Sequence, residues 1–183
     1  MLEVDCEIVA GAWSNAVDWQ ALARRSVAAA LAGAGYRNVL QNAAPPVEVA
    51  VRLSDDGEVR QLNGQYRAKD QPTNILSFPM QEASSIDKAL RQQDCDLLLG
   101  DLVLAVETAT REAVARGISL EDHVTHLIVH GVLHLLGHDH QDDSAADAME
   151  ALETRILAGL GIADPYSDSH SARTAIGMLS GHG

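Results

Sequence analysis

The stretch HVTHLIVHGVLHLLGHDH, residues 123–140, holds six of the eight histidines of this 183-residue chain. Ser119 and Asp122 precede this stretch and resemble a capping box. A helix is therefore predicted to begin at Ser119. An apolar run carries that helix to Leu136, and Gly137 can then adopt the left-handed conformation that turns a chain back. The stretch therefore predicts a helix that ends in a histidine-rich turn.

The spacing of these histidines indicates a metal site. His130 and His134 are four residues apart, so one helix face carries both imidazoles with Cβ atoms about 5–6 Å apart, and both can reach one ion. After the turn at Gly137, His140 is the natural third ligand, and His138 is its competitor, with less chain in which to swing back. Three histidines leave the fourth position of a tetrahedral zinc open for water, whose pKa zinc lowers to about 7.

The other polar residues of the stretch allow two interpretations each. His123, His126 and His138, taken singly, are better explained as satisfied core or surface histidines than as ligands. Asp139 is either a carboxylate that orients a ligand imidazole or a solvating residue of the loop. Any role of His126, His138 and Asp139 in the site is therefore predicted to lie in the layer around the ligands.

The spacing of the three candidate ligands, with a glycine before the last, is that of the extended metzincin protease motif. In such proteases a glutamate directly after the first histidine acts as general base, whereas here that position is Gly131. Glycine cannot accept a proton, so peptide hydrolysis by that route is disfavoured. The site is expected to act on a substrate that needs charge stabilisation more than a leaving-group acid.

Hydrophobic patterns along the rest of the chain predict one α+β domain over residues 1–166. Strands are expected near residues 2–9, 47–52, 75–78 and 97–105, the last interrupted at 100–101, and helices near 13–32, 54–66, 106–117, 120–136 and 144–160. The polar, acidic stretch 81–96 is predicted to be loop. This order indicates a mixed sheet of about four strands packed against about five helices, with the metal site at the C-terminal end of a helix. Residues 167–183 are predicted to be a flexible tail.

The composition restricts the protein's partners. The chain has 26 Asp and Glu against 13 Lys and Arg, a formal charge of −13, with 46% hydrophobic and 21% charged residues. These proportions are those of an ordinary globular protein and exclude a disulfide-dense scaffold or long disorder. Strong acidity argues against a broad basic face for nucleic acid.

The charge is uneven along the chain. Residues 139–168 contain eight Asp or Glu and one Arg, whereas residues 52–70 contain four basic and four acidic residues, with Arg60, Arg67 and Lys69 close together. RNA is therefore expected to bind weakly and in a salt-sensitive way, along a narrow basic strip beside the metal.

Cysteines and hydropathy predict a cytoplasmic location. Cys6 and Cys95 match no metal spacing and are interpreted as reduced thiols, with a disulfide between them as the alternative. No apolar run of membrane-spanning length and no ordinary signal peptide is recognised in the sequence.

Two long stretches resemble one protein family. The string HGVLHLLGHDH at residues 130–140 closely resembles the signature of the YbeY family, the bacterial metal-dependent endoribonucleases of ribosomal RNA maturation. LNGQYRAKD at 62–70 and PTNILSFP at 72–79 resemble the same family, as do shorter matches at 99–101, 150–153 and 164–166. The resemblance covers most of residues 48–166 in the right order. One departure is His138, where the family usually has Tyr.

The resemblance implies that His130, His134 and His140 hold one zinc ion per chain and that Arg67 is the functional arginine. A guanidinium stays charged and offers two parallel donors to phosphate oxygens, so it suits the charge that develops during phosphodiester cleavage. The alternative for Arg67 alone is a surface salt bridge, for instance with Asp70.

Four further residues are candidate substrate contacts. Thr73, Asn74 and Ser77 are expected to line the same groove, although a turn and a strand start explain them equally well. Lys69 is the fourth candidate, because it is a further cation close to Arg67 in the sequence.

The leading hypothesis from the resemblance is a single-strand-specific endoribonuclease in ribosomal RNA maturation, at the 3′ end of 16S ribosomal RNA, and in ribosome quality control. Zinc-activated water would attack phosphorus, or the RNA 2′-hydroxyl would, while Arg67 stabilises the phosphate. The implied partners are ribosomal RNA, the small ribosomal subunit and its assembly factors, not DNA or a membrane. The alternatives are a zinc-dependent hydrolase of peptide or amide bonds, and a ribosome assembly factor whose metal is structural.

Overall fold

A four-stranded sheet carries six α-helices in the described part of the computed structural model, which is residues 1–41, 45–92, 95–138 and 143–167. The elements, in chain order, are β1 (Leu2–Ile8), α1 (Trp19–Gly33), a 3₁₀ turn (Arg37–Leu40), β2 (Val47–Ser54), α2 (Asp56–Arg67), β3 (Ile75–Pro79), α3 (Ala83–Gln92), β4 (Leu97–Ala105), α4 (Val106–Arg116), α5 (Leu120–Leu135) and α6 (Asp143–Gly159).

The strand order in the sheet is β1-β2-β4-β3. β1, β2 and β4 run parallel, which requires crossover connections, and β3 pairs antiparallel with β4. The mixed α+β sheet predicted from the sequence is thereby confirmed. β3 is the edge strand of the described sheet, and its residues Ile75, Ser77 and Pro79 line the site described below.

The predicted interruption of β4 is a β-bulge. In the pairing of β2 with β4, Glu48 lies opposite Leu98 and Val49 lies opposite Gly100, so Leu99 is the extra residue. Gly100 has a φ of 152°, and a Cβ at this position would lie 2.4 Å from the carbonyl oxygen of Phe78 on β3. Only glycine therefore lets the two strands approach this closely, and β4 continues through the bulge as one strand.

Helix α5 is the central helix of the fold. Eleven of its 16 residues are buried, as expected for a helix that is apolar nearly all round. It packs against α1, β3 and β4 on one face of the sheet, with α4 and α6 beside it. α2 covers part of the opposite face through a smaller cluster of Val59, Leu76, Val103 and Ala105. The Ser119 cap is confirmed, since its Oγ accepts the N–H of Asp122 at 3.1 Å.

The loop predicted for residues 81–96 is wrong for most of its length, because Ala83–Gln92 forms α3. Ile86 and Leu90 are spaced by one helical turn and are 1% and 0% exposed, so they hold α3 against the core. Tyr36 adds a hydrogen bond from its hydroxyl to Asp87 at 2.7 Å. Ala83, Ile86 and Leu90 do recur at helical spacing, so the polar and acidic composition of the segment, and not a lack of periodicity, led to the loop prediction.

The structure also bears on the cysteines, on membrane-spanning helices and on the predicted tail. Cys6 is outside any disulfide, which excludes its pairing with Cys95, and burial together with the charges of Asp5 and Asp18 raises the pKa of the Cys6 thiol to about 11. Among the described residues, no helix has both the length and the apolar character needed to cross a membrane. Residues 168–183, most of the predicted tail, lie outside the described residues.

The turn after α2 is held in a strained conformation. Ala68 has a φ of 55° and a ψ of 30°, the left-handed region, and the N–H of Lys69 closes the turn on the carbonyl of Asn63 at 3.2 Å. The buried side chain of Asn63 also donates to the carbonyl of Gln71 at 2.8 Å. These bonds fix the direction in which the chain leaves Arg67, the last residue of α2.

Ala68→Gly is expected to raise the free energy of unfolding by about 0.5–1 kcal/mol. The left-handed conformation costs an alanine about 1–2 kcal/mol, and the added freedom of glycine in the unfolded chain returns only part of that gain. Urea denaturation measures the change. The matched control is Ala34→Gly at the end of α1, where φ is −77° and the substitution should destabilise by about 0.5–1 kcal/mol. A destabilised Ala68→Gly variant would contradict the assignment of strain.

Candidate active site

Two histidines of α5 converge at the end of the helix. The Nε2 atoms of His130 and His134 lie 3.0 Å apart. Two nitrogens bound to one tetrahedral zinc at 2.0–2.1 Å would be separated by roughly 3.3 Å. The pair therefore fits two adjacent corners of a zinc coordination sphere.

The buried carboxylate of Glu153 on α6 orients His130. The Nδ1–H of His130 donates to Glu153 Oε1 at 2.7 Å, and the Glu153 side chain is 1% exposed. With the proton on Nδ1, the lone pair of the ring is on Nε2, the atom that faces His134. A carboxylate behind a ligating imidazole also makes that imidazole a stronger base.

Glu153 has two further partners. His126 Nε2 donates to Glu153 Oε2 at 3.0 Å, and the hydroxyl of Tyr166 donates to the same oxygen. Burial alone would raise the pKa of Glu153, but the hydrogen bonds from His126, His130 and Tyr166 outweigh it and lower the pKa to about 2. Burial lowers the pKa of His126. His126 and His130 thus share one carboxylate, with their ring centroids 6.3 Å apart.

The predicted third ligand, His140, lies outside the described residues, as does Asp139. His138 is half-buried and lines the same groove as His130 and His134, and burial lowers its pKa. Within the described ranges, no three His, Cys, Asp or Glu side chains converge as a metal site, so His138 does not complete a set of three there.

The histidine pair opens into a groove of about 470 Å³ that also contains Arg67. The end of α2 and the strand β3 form one part of the groove and α5 the other; its lining residues are Arg67, Thr73, Asn74, Ile75, Ser77, Pro79, His130, His134, Gly137 and His138. Arg67 forms no ion pair within the described part of the chain. Asp70, the alternative partner considered for it, instead accepts two bonds from Arg60, at 2.7 and 2.9 Å.

The sequence of this chain is similar to those of known proteins. The sequence model of the family described as Endoribonuclease YbeY matches residues 14–161. The chain belongs to this family. The resemblance seen in the histidine and arginine stretches is thereby confirmed over most of the chain.

Individual relatives agree with the YbeY family assignment. The chain is 53% identical to the Endoribonuclease YbeY of Sphingopyxis alaskensis, over 92% of this chain and 99% of that protein. It is 49% identical to that of Rhizorhabdus wittichii, over 85% and 91%, and 42% identical to that of Zymomonas mobilis, over 96% and 99%. A solution structure from Thermotoga maritima, 20% identical, has the same fold with a TM-score of 0.53 over 94% of this chain and 93% of that one.

Asn74, part of the stretch that resembles the YbeY family, is held from inside the protein. Its Nδ2 donates to Glu112 at 2.9 Å, its Oδ1 accepts the N–H of Ile75 at 2.8 Å, and Glu112 is bonded in turn to buried His123 at 2.7 Å. Asn74 therefore lines the groove with its polar atoms already engaged. Thr73 and Ser77 also line the groove, whereas Lys69 is exposed outside it.

Gly131 separates this YbeY family member from the metzincin pattern. A Cβ at Gly131 would lie 2.8 Å from Leu102 Cδ2, 2.9 Å from Ile75 Cδ1 and 3.2 Å from Ser77 Oγ. A side chain here would therefore point into the packing between α5 and the sheet. The position has no room for a glutamate and could not present one as a base beside His130.

The sequence did not reveal the place of three residues in the site, which are Glu153, Glu112 and Tyr166. One signal was present for Glu153: it falls on the same helix face as Met149, Ile156 and Leu157, all of them buried, so a charge interrupts an apolar stripe. A charged residue in such a stripe indicates a buried partner.

Gly137 forms the predicted turn after α5. Its φ is 90°, and a Cβ at this position would lie 2.3 Å from the Cβ of Ala83 at the start of α3. The turn is thus restricted both by its backbone conformation and by packing against α3.

Gly137→Ala is expected to lower the free energy of unfolding by about 2–4 kcal/mol, because it adds left-handed strain to an overpacked contact. Thermal or urea denaturation measures the loss. Gly159→Ala is the matched control: nothing lies within 4 Å of a Cβ at that position at the end of α6, so this variant should be as stable as the parent or more so. Equal stability of both variants would show that the turn is not restricted in this way.

Proposed function

We propose that the protein is a metal-dependent endoribonuclease that cleaves single-stranded RNA during ribosomal RNA maturation, including the 3′ end of 16S ribosomal RNA, and ribosome quality control. Relatives at 42–53% identity carry the name Endoribonuclease YbeY, which supports the reaction class. The observation that carries the proposal is that Arg67 and the His130–His134 pair share one groove. A phosphate ligand and a metal ligand pair then face the same bound molecule.

His130 and His134 would hold the metal, with His140 as the third ligand that the family resemblance implies. The 3.0 Å between their Nε2 atoms and the proton placed on Nδ1 of His130 by Glu153 fit a zinc ion. When bound, zinc supplies a Lewis acid and a water whose pKa is lowered to about 7. The buried Glu153 keeps His130 in one tautomer and one orientation for this purpose.

Arg67 is assigned to the phosphate. It is exposed at the end of α2, and the turn at Ala68 fixes its position at the groove. Two parallel N–H groups can bind two phosphate oxygens and stabilise the charge that builds up as the phosphodiester is attacked. The reaction products identify the nucleophile, because attack by the 2′-hydroxyl leaves a cyclic phosphate and attack by water does not.

The small ribosomal subunit is the proposed partner. A protein with a formal charge of −13 gains little from counterion release on RNA. Contacts to ribosomal proteins and assembly factors would supply the remaining affinity and restrict the enzyme to ribosomal RNA. A cytoplasmic location follows from such a partner.

Two other functions make different demands on the site. Peptide or amide hydrolysis with a helix-borne base is opposed by Gly131, which is packed against the sheet. An assembly factor with a structural metal would need the metal for folding. The large core of buried residues from α1, α5 and the sheet instead supports a domain that folds without it.

Arg67→Ala is expected to lower kcat for cleavage of a single-stranded RNA by about 100-fold or more, with metal content unchanged, because one preorganised donor to a developing charge is lost. Arg60→Gln is the matched control on the same helix, since Arg60 is paired with Asp70 and lies outside the groove. Cleavage assays with metal analysis measure both. Equal losses in the two variants would show that bulk charge, not the groove, is responsible.

His134→Ala is expected to abolish both zinc binding and RNA cleavage while the fold is retained. Removal of zinc from the parent by a chelator should likewise abolish cleavage and leave the circular dichroism spectrum of the folded protein. Metal analysis, cleavage assays and circular dichroism check these results. Unfolding on chelation would favour a structural metal, and undiminished cleavage by His134→Ala would point to a contaminating nuclease.

A further inference from the structure

We propose that Tyr66 is a stacking platform for an unpaired nucleobase of the RNA, beside the phosphate that Arg67 binds. The inference rests on the proposed function and assigns a second binding position to the same site. Its ligand is the flat face of a base, of any sequence, next to the phosphate at Arg67.

The exposure of Tyr66 is unusual for this chain. The sequence contains six aromatic residues, and all of them lie in the described ranges. Five are buried or half-buried: Trp13, Trp19, Tyr36, Phe78 and Tyr166. Tyr66 is 64% exposed. The aromatic ring that this protein leaves in water is thus the one directly before Arg67.

The ring is nevertheless anchored. It packs edge-to-face on Phe78, with ring centroids 5.3 Å apart and an interplanar angle of 67°. Val59 and Leu62, on the same stripe of α2, pack against the sheet, so the helix beneath the ring is fixed. A ring that is already held on one side loses little conformational freedom when a base stacks on the other side.

Tyr66 directly precedes Arg67 and lies on the α2 side of the edge strand β3. Its ring partner Phe78 lies between Ser77 and Pro79, which line the groove from the other side of that strand, because successive side chains of a strand alternate in direction. Consecutive residues of a helix differ by about 100° and 1.5 Å, so Tyr66 and Arg67 project in different directions from nearly the same height. A nucleotide whose phosphate reaches Arg67 can then place its base against Tyr66.

Stacking supplies binding energy that electrostatic attraction between RNA and this acidic protein does not. Apart from the histidines, Arg67 is the one cation among the described residues that line the groove, in a chain with a formal charge of −13. Base–aromatic stacking does not depend on counterion release and accepts every base. It requires a base whose face is accessible, so a stacking residue beside the phosphate favours single strands over duplexes.

The test uses the metal-loaded full chain and a single-stranded RNA oligonucleotide that the parent cleaves. Tyr66→Ala is expected to raise KM about tenfold with kcat nearly unchanged, and Tyr66→Phe should restore the parent value. Gln65→Ala, a neighbouring exposed position on α2, is the matched control and should behave as the parent does. The salt dependence of binding should be the same in the parent and in Tyr66→Ala, because no charge is removed.

Abasic substitutions in the RNA then locate the base. At one position near the cleaved bond, the abasic substitution should raise KM about tenfold for the parent and have no effect for Tyr66→Ala. Equal penalties in the two enzymes, or a parent-like KM for Tyr66→Ala, would overturn the proposal. A defect of Tyr66→Ala seen only with the small ribosomal subunit would make the residue a protein contact and would also overturn it. Failure of the parent to cleave RNA would instead refute the proposed function.

Discussion

The site depends on one buried charge, the carboxylate of Glu153. Taking an ion of this size out of water costs several kcal/mol unless its oxygens are fully hydrogen-bonded. His126 and His130 of α5 and Tyr166 beyond α6 provide those bonds, so the carboxylate can exist only where these three groups meet. The hydrogen bonds that satisfy Glu153 also fix α6 against α5 and set the orientation of the His130 ring.

A second histidine–glutamate pair, buried on its histidine side and half-buried on its glutamate side, acts near the other end of α5. His123 is fully buried and bonded to Glu112 of α4, and Glu112 holds the side chain of Asn74 just before β3. Burial alone would raise the pKa of Glu112, but the bonds from His123 and Asn74 outweigh it and lower the pKa. One pair thus secures the groove wall at β3 and the other secures the histidines, and both are anchored on one rigid helix. The distance across the groove is therefore set by the core and not by loops.

Features with a local cause could be predicted from the sequence, and those with distant partners could not. The Ser119 cap and the turn at Gly137 each follow from residues that are adjacent in the chain, whereas the glycine at 100 marked only an interruption of β4, because the contact with Phe78 that requires it comes from another strand. The role of Glu153 depends on a histidine 23 residues away and that of Asn74 on a glutamate 38 residues away. The prediction of a loop in place of α3 has a different cause, since the polar, acidic composition of residues 81–96 was given more weight than the helical spacing of its apolar residues. Patterns of hydrophobicity predict which residues are buried, but they do not identify the polar group with which a buried residue will pair.

The basic strip predicted from the sequence, around Arg60, Arg67 and Lys69, has fewer cations available for a phosphate in the structure. Arg60 donates two hydrogen bonds to Asp70, and Arg52 is paired with Glu58, so Arg67 and Lys69 are the remaining cations of residues 52–70. Of these two, only Arg67 lines the groove. A single guanidinium cannot hold a polyanion against a formal charge of −13, but it can bind one phosphate in one orientation. Acidity is then compatible with an RNA substrate, because it suppresses indiscriminate binding and leaves recognition to the shape of one groove.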